Sequence, residues 1–175
     1  MSALCVMFGA LCVLVACLGV FGLVRLALKM RQTELQSWLS AVRLLSAEMN
    51  FGVLPLPRLC SLLGERVDGT AGCFFANLGD ELGRQKQAAL PQIWQELLVT
   101  ERSGWHLSAA DVSVLADLGA GLGKSGLANQ RRLLALTEER LASLHDEAAA
   151  RCERLYRLLG ALGWCSGLLL VCLWL

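Results

Sequence analysis

The sequence predicts an all-α protein, a cytoplasmic bundle of about six helices flanked by an N-terminal and a C-terminal transmembrane helix. Three observations carry that prediction. All 16 Lys/Arg and all 15 Asp/Glu fall between Arg25 and Arg157, so residues 1–24 and 158–175 carry no charged side chain. Between those tracts Leu, Ala, Arg and Glu are abundant and Gln recurs, a helix-forming set. Alternating Val/Ile/Thr runs of the kind that build strands are missing, and Gly and Pro mark the breaks.

The first uncharged tract is 24 residues long and the second 18. A helix rising ~1.5 Å per residue crosses a ~30 Å hydrocarbon layer with about 20 apolar residues. The first tract clears that length and the second just reaches it, so both read as spans. They also account for the positive mean hydropathy of +0.53, because the middle of the chain has an ordinary soluble composition. Arg25, Lys29 and Arg31 follow the first tract, and Arg151, Arg154 and Arg157 precede the second. The positive-inside bias puts the intervening domain in the cytoplasm and both termini outside. The division is 1–26 for the first transmembrane helix, 27–157 for the bundle and 158–175 for the second transmembrane helix.

A cleaved signal peptide needs a basic segment ahead of its apolar run, and the basic residues here lie behind it. Leu14-Val15-Ala16-Cys17 is a sharper rival, since it resembles a bacterial lipobox. Cleavage before Cys17 would lipidate that residue and carry the domain outside the cell. Against this, the apolar run continues past Cys17 to Val24 and then turns basic, as an uncleaved anchor does. Of the eight cysteines, Cys5, Cys12, Cys17, Cys165 and Cys172 lie in the apolar tracts, where Cys serves as a small hydrophobe. Cys60, Cys73 and Cys152 are widely spaced, with no C-x-x-C and no paired His, so neither a disulfide framework nor a zinc site is indicated. A reduced cytoplasmic setting is the simple reading.

Within the domain, Thr33-x-x-Gln36 has the form of a capping box opening a helix, with Leu35, Trp38, Leu39, Val42, Leu45 and Met49 on its apolar face. Pro55 and Pro57 break that helix, and a short one follows over about 58–66. Gly69 and Thr70 mark a turn before a third helix that runs to about Leu82. A fourth spans about 85–101, with Ile93, Leu97 and Leu98 inward and Pro91 able to delay its start. Ser108-x-x-Asp111 caps the fifth, which buries Val112, Leu115 and Leu118 and stops in the glycines from Gly119 to Gly126. The sixth runs from about Leu127 into the second span. Its Leu134, Leu141, Ala148 and Leu155 recur every seven residues, with Leu144 between them, the pattern of a seam packed on other helices.

No enzyme site emerges. Around Gly119–Gly126 a phosphate-binding P-loop would need a glycine where Leu118 stands, so its frame fails. Gly121-x-Gly123-x-x-Gly126 does fit the dinucleotide fingerprint, but that motif works after a strand and within a βαβ unit, and a helix precedes it here. A glycine-rich turn between helices is the better account, and no cofactor, metal or catalytic residue is expected. His106 and His145 lie far apart, and the acid pairs Asp80/Glu81, Glu138/Glu139 and Asp146/Glu147 are mixed with arginines as on a solvated face. The net charge of +1 offers no basic field for nucleic acid. Apart from cysteine thiols neither tract carries an ionisable side chain, so the spans hold the domain in place and do not conduct by themselves. Gly160, Gly163 and Gly167 are candidate positions for close packing of a membrane helix. The turn at Leu122, Gly123, Lys124 and Ser125 is the candidate partner-docking site, with Gly123 expected at positive φ, where a Cβ would clash.

The ordered set of motifs resembles the stage III sporulation protein AB family over nearly the whole chain. It begins with the anchor and its basic exit, then Glu48-Met49-Asn50-Phe51-Gly52 leading into Pro55-Leu56-Pro57. It continues through Trp94, Asp111, Leu118-Gly119, Leu122-Gly123, Gln130, Leu144 and Ala148, and ends on Tyr156-x-x-Leu159-Gly160-x-x-Gly163. Phe51 stands where the family tends to have Tyr, and Gly126 where an acidic residue commonly follows the turn. Members are similar to the cytoplasmic domains of the inner-membrane platform proteins of type II secretion and type IV pilus systems. The resemblance implies a non-enzymatic scaffold of the mother-cell to forespore channel complex in endospore formation, seated in the mother-cell membrane around the forespore. Its implied partners are the secretion-type ATPase, stage III sporulation protein AA, and other membrane components of the complex, with no small-molecule substrate. The alternative is a membrane-anchored or lipidated helical interaction protein of another envelope assembly.

Overall fold

In the computed structural model the described residues are 2–51, 54–84, 89–123 and 126–174. They form six α-helices and no strand: α1 Ser2–Phe51, α2 Leu56–Arg66, α3 Thr70–Arg84, α4 Leu90–Glu101, α5 Ala109–Gly121 and α6 Leu127–Trp174. A short 3-10 turn, Arg102–Gly104, follows α4. The chain divides into two compact units, residues 31–147 and residues 1–30 with 148–175.

Thr33 starts no helix: α1 runs through it without a break. A capping box acts only where the preceding turn is not already helical, and Arg25-Leu-Ala-Leu-Lys-Met-Arg-Gln32 are all residues that carry a helix forward. The predicted apolar face is correct from Leu35 to Leu45, and Ala41 joins it. α2 begins two residues earlier than its prolines imply, at Leu56. Pro55 is its N-cap and Pro57 falls in the first turn, where the missing N–H removes no helical bond. The predicted start of α4 at 85–88 lies outside the described residues. Of its expected inward side chains Ile93 and Leu98 are buried and Leu97 is half-buried. In α5, Leu115 and Leu118 are buried and Val112 is half-buried.

The core of residues 31–147 is aromatic. Trp38 of α1 meets Phe74 and Phe75 of α3 at centroid distances of 5.1 and 5.8 Å, and Phe74 meets Trp94 of α4 edge-on at 4.9 Å. Tilted and edge contacts of this kind add about 0.5–1.5 kcal/mol each beyond burial. The Trp94 indole N–H donates to the Leu115 carbonyl at 3.0 Å, which ties α4 to α5, whereas the Trp38 indole N–H, buried in the same cluster, has no hydrogen-bond partner. α6 brings the expected seam to this core through Leu134 and Leu141, both fully buried, with Leu144 half-buried; farther along α6, in the other unit, Ala148 is buried and Leu155 half-buried. α2 packs closely on α3: a Cβ on Gly64 would lie 2.7 Å from Ala76 Cβ, and a Cβ on Gly72 would lie 1.8 Å from the carbonyl oxygen of Val67, the residue that caps α2.

Among the described residues no helix is long and apolar enough to cross a membrane. The side chains of 1–18, 21 and 158–175, most of the two uncharged tracts, lie outside the description. Val20, Leu23 and Val24, at the end of the first tract, and Leu26, just beyond it, are described and stand exposed.

Candidate functional site

Two features of residues 31–147 are built from functional side chains. The first is the turn between α5 and α6. α5 ends at Gly121; Leu122 takes an extended conformation and its N–H donates to the Leu118 carbonyl at 3.0 Å. Leu122 is buried and anchors the turn. Gly123 follows at φ +81, as expected. A Cβ there would find its nearest neighbour, Leu90 Cδ2, at 3.8 Å, so backbone conformation rather than crowding selects glycine. The Gly126 carbonyl then accepts from the Asn129 and Gln130 N–H groups at 2.9 and 3.1 Å, which opens α6. Lys124 and Ser125 lie outside the described residues.

Gly119, one turn earlier, answers to crowding instead. A Cβ there would sit 2.1 Å from Trp94 Cδ1, so the indole ring rests on the glycine backbone. The glycines around the dinucleotide-like fingerprint are thus tied to the end of a helix and its packing on Trp94. The strand which that fingerprint requires in front of it is replaced by α5.

The second feature is a polar clamp on α1. The Arg31 guanidinium donates twice to the Asp111 carboxylate, Nε to Oδ2 and Nη2 to Oδ1, both at 2.8 Å. Asp111, the third residue of α5, also completes a capping box with the N-cap Ser108. The Ser108 N–H donates to its Oδ2 at 2.8 Å and the Asp111 N–H donates to Ser108 Oγ at 3.3 Å. The Asp111 side chain is fully buried, and Arg31 is 12% exposed. Burial pushes the Asp111 carboxyl up. The Arg31 hydrogen bonds, the Ser108 backbone and hydroxyl donors and the Arg31 charge outweigh it and hold the carboxyl below its ordinary value. The bonds to Asp111 raise the Arg31 pKa in turn.

Beside this pair, Glu34 accepts the His106 backbone N–H at 2.8 Å and faces His106 Nδ1 at 3.0 Å. Trp105 packs edge-on against Trp38 at 5.3 Å. Residues 105–111 are therefore strapped onto residues 31–38 of α1.

The sequence marked Asp111 as a cap and Arg31 as a charge at a membrane exit; nothing local joins residues 80 positions apart. The acid pairs behave as surface charges. Glu81 meets Arg84 at 3.2 Å, Glu138 meets Arg43 at 2.8 Å, and Asp146 lies 3.4 Å from His145. No group of three potential metal ligands occurs among the described residues. Cys60, Cys73 and Cys152 are free thiols, and burial pushes Cys60 up to about 12, which keeps it protonated and unreactive. Gly160, Gly163 and Gly167 fall within α6, in the part whose side-chain surroundings lie outside the description.

An all-helical bundle with a structured turn, a buried clamp and no assembled catalytic group among its described residues is the class these features define. The model of the stage III sporulation protein AB family matches residues 6–175, and the chain belongs to that family. A solved structure of stage III sporulation protein AB is similar in fold, with a TM-score of 0.67 at 18% sequence identity, covering 71% of this chain and 97% of that one. No curated protein matches. Membership assigns the chain a role in sporulation.

Proposed function

We propose that the chain is a non-enzymatic membrane scaffold of the mother-cell to forespore channel complex, holding a cytoplasmic helical domain ready to dock the secretion-type ATPase, stage III sporulation protein AA. Family membership over residues 6–175 is the observation that carries this reading. The two spans, 1–26 and 158–175, are supported by the charge-free tracts at the two ends of the sequence. The helical conformation supports them too, because α1 and α6 run unbroken through nearly all of both tracts, at ~1.5 Å per residue. Exposed Val20, Leu23 and Val24 suit a lipid-facing surface better than an aqueous one. With both termini outside, Gly160, Gly163 and Gly167 offer close approach to other membrane components of the complex.

Docking falls to the turn of Leu122, Gly123, Lys124 and Ser125. It is presented between two helices that are themselves pinned, α5 by its cap and clamp and α6 by its seam. Lys124 supplies a cation for an acidic patch on the ATPase. Copurification of the detergent-solubilised full chain with that ATPase tests the reading. Lys124→Glu should weaken the complex without lowering the melting temperature, and full retention in Lys124→Glu and Gly123→Val alike would move docking elsewhere. A reporter active only outside the cytoplasm should be active after Leu175 and silent near Thr70; the reverse pattern would favour a lipidated, exported domain.

A further inference from the structure

The small net charge conceals a division. Residues 1–30 with 148–175 form one compact unit. That unit carries five basic side chains, Arg25, Lys29, Arg151, Arg154 and Arg157, against the single acid Glu153, a net +4. Residues 31–147 hold the other eleven basic and fourteen acidic side chains, a net −3. All five cations are exposed, and Glu153 accepts from Arg157 at 2.8 Å. Arg25 and Lys29 lie one turn apart on one side of α1, and Arg151, Arg154 and Arg157 recur at three-residue steps, so each set spans only about 6–9 Å of helix axis. On α1 these cations adjoin an exposed apolar surface, with Leu23 70% and Leu26 50% accessible.

We propose that these five residues form a binding collar for anionic lipid headgroups, through which the chain selects acidic phospholipid over zwitterionic lipid. The inference rests on the reading that the uncharged tracts cross the bilayer. A bilayer offers an apolar layer and a phosphate layer side by side, matching the succession of apolar and cationic side chains along α1. A nucleic acid would leave the apolar face wet. Each cation near an anionic surface raises local association by about fivefold, an effect confined to roughly 10 Å at moderate salt. The ligand chemistry is a phosphodiester anion, and the test separates lipid from soluble phosphate.

The full chain is reconstituted in vesicles containing brominated phosphatidylglycerol or brominated phosphatidylcholine, and quenching of tryptophan fluorescence is compared. Trp164 and Trp174 fall in the second tract and report contact with lipid. The expected result is a severalfold preference for phosphatidylglycerol that declines as salt is raised. It should be reduced in Arg25→Gln/Lys29→Gln and nearly abolished when Arg151, Arg154 and Arg157 are also changed to Gln, while circular dichroism shows an unchanged helical melt. Equal quenching by both lipids would overturn the collar and leave the spans standing. Absence of quenching by either, with a chain that does not float with vesicles, would overturn the spanning reading and the collar together. A preference that survives all five substitutions would remove these residues from the proposal. Competition by inorganic phosphate at constant ionic strength would make the site one for soluble anions and refute the lipid assignment.

Discussion

The contact of α2 with α3 and the contact of α1 with α5 lie in the same compact unit and are held by different forces. At the α2–α3 junction, backbone lies against backbone at Gly72, with the carbonyl oxygen of Val67, the cap residue of α2, 1.8 Å from where a Cβ would be. Between α1 and α5, a guanidinium grips a carboxylate that is out of reach of water. Close backbone packing is indifferent to pH and intolerant of one extra methyl group. A buried ion pair tolerates some change of shape, yet either charge left alone inside the protein is expensive. One junction is specified by the absence of atoms and the other by the presence of charge.

Breaking the charged junction should have the largest effect. Asp111→Ala leaves Arg31 without its partner and removes the α5 cap, so a loss of about 3–5 kcal/mol is expected in denaturant melts. The double variant Arg31→Met/Asp111→Leu should recover most of that loss, keeping a deficit of about 1 kcal/mol for the missing cap. No recovery would mean that the pair supplies stability outright and not only register. Because the Asp111 carboxyl is held below its ordinary value, its contribution is present at neutral pH. It is lost as pH falls below about 4 and through the folded-state pKa, and the acid-induced loss should be smaller in the double variant.

Leu134→Ala or Leu141→Ala serves as the reference for ordinary packing, with about 2–5 kcal/mol expected at these fully buried positions and no dependence on pH. Gly72→Ala tests the apolar junction. Overpacking typically costs about 1–3 kcal/mol, and the obstacle here is a backbone carbonyl with little freedom to move. A Gly72→Ala domain as stable as the parent would show that α2 and α3 slide apart easily. The smallest effect belongs to Gly123→Val, about 1–2 kcal/mol for a side chain forced to positive φ in an open turn. A Gly123→Val melting temperature equal to the parent's would leave the turn no structural reason for its glycine.

Local sequence signals located the elements well where the deciding interaction is itself local. Ser108 and Asp111 lie three residues apart, and their mutual capping is complete in the structure. The seven-residue spacing of α6 placed Leu134, Leu141 and Ala148 inside. The same locality misled at Thr33, where a genuine capping pattern sits in the middle of a helix because the residues before it are equally helical. The candidate turn was half legible. Positive φ at Gly123 followed from its place after a helix, but the reason for Gly119 needs Trp94, 25 residues away, to lay its ring on the backbone.

From the sequence came the all-helical class, the place of the α5–α6 turn and most of the buried side chains of the apolar faces, because each depends on residues within a turn or two of one another; Met49, Leu97, Val112, Leu144 and Leu155 are only half-buried. Which polar groups meet in the interior was decided only by tertiary structure. Arg31 and Asp111 acquire a common function only when α1 and α5 are brought together, and so do Glu34 and His106. The physical reason is that a side chain's cost or worth in the core depends on what surrounds it there: the charge that reads as a membrane-exit residue in the chain becomes, once desolvated beside a carboxylate, the partner that the carboxylate requires.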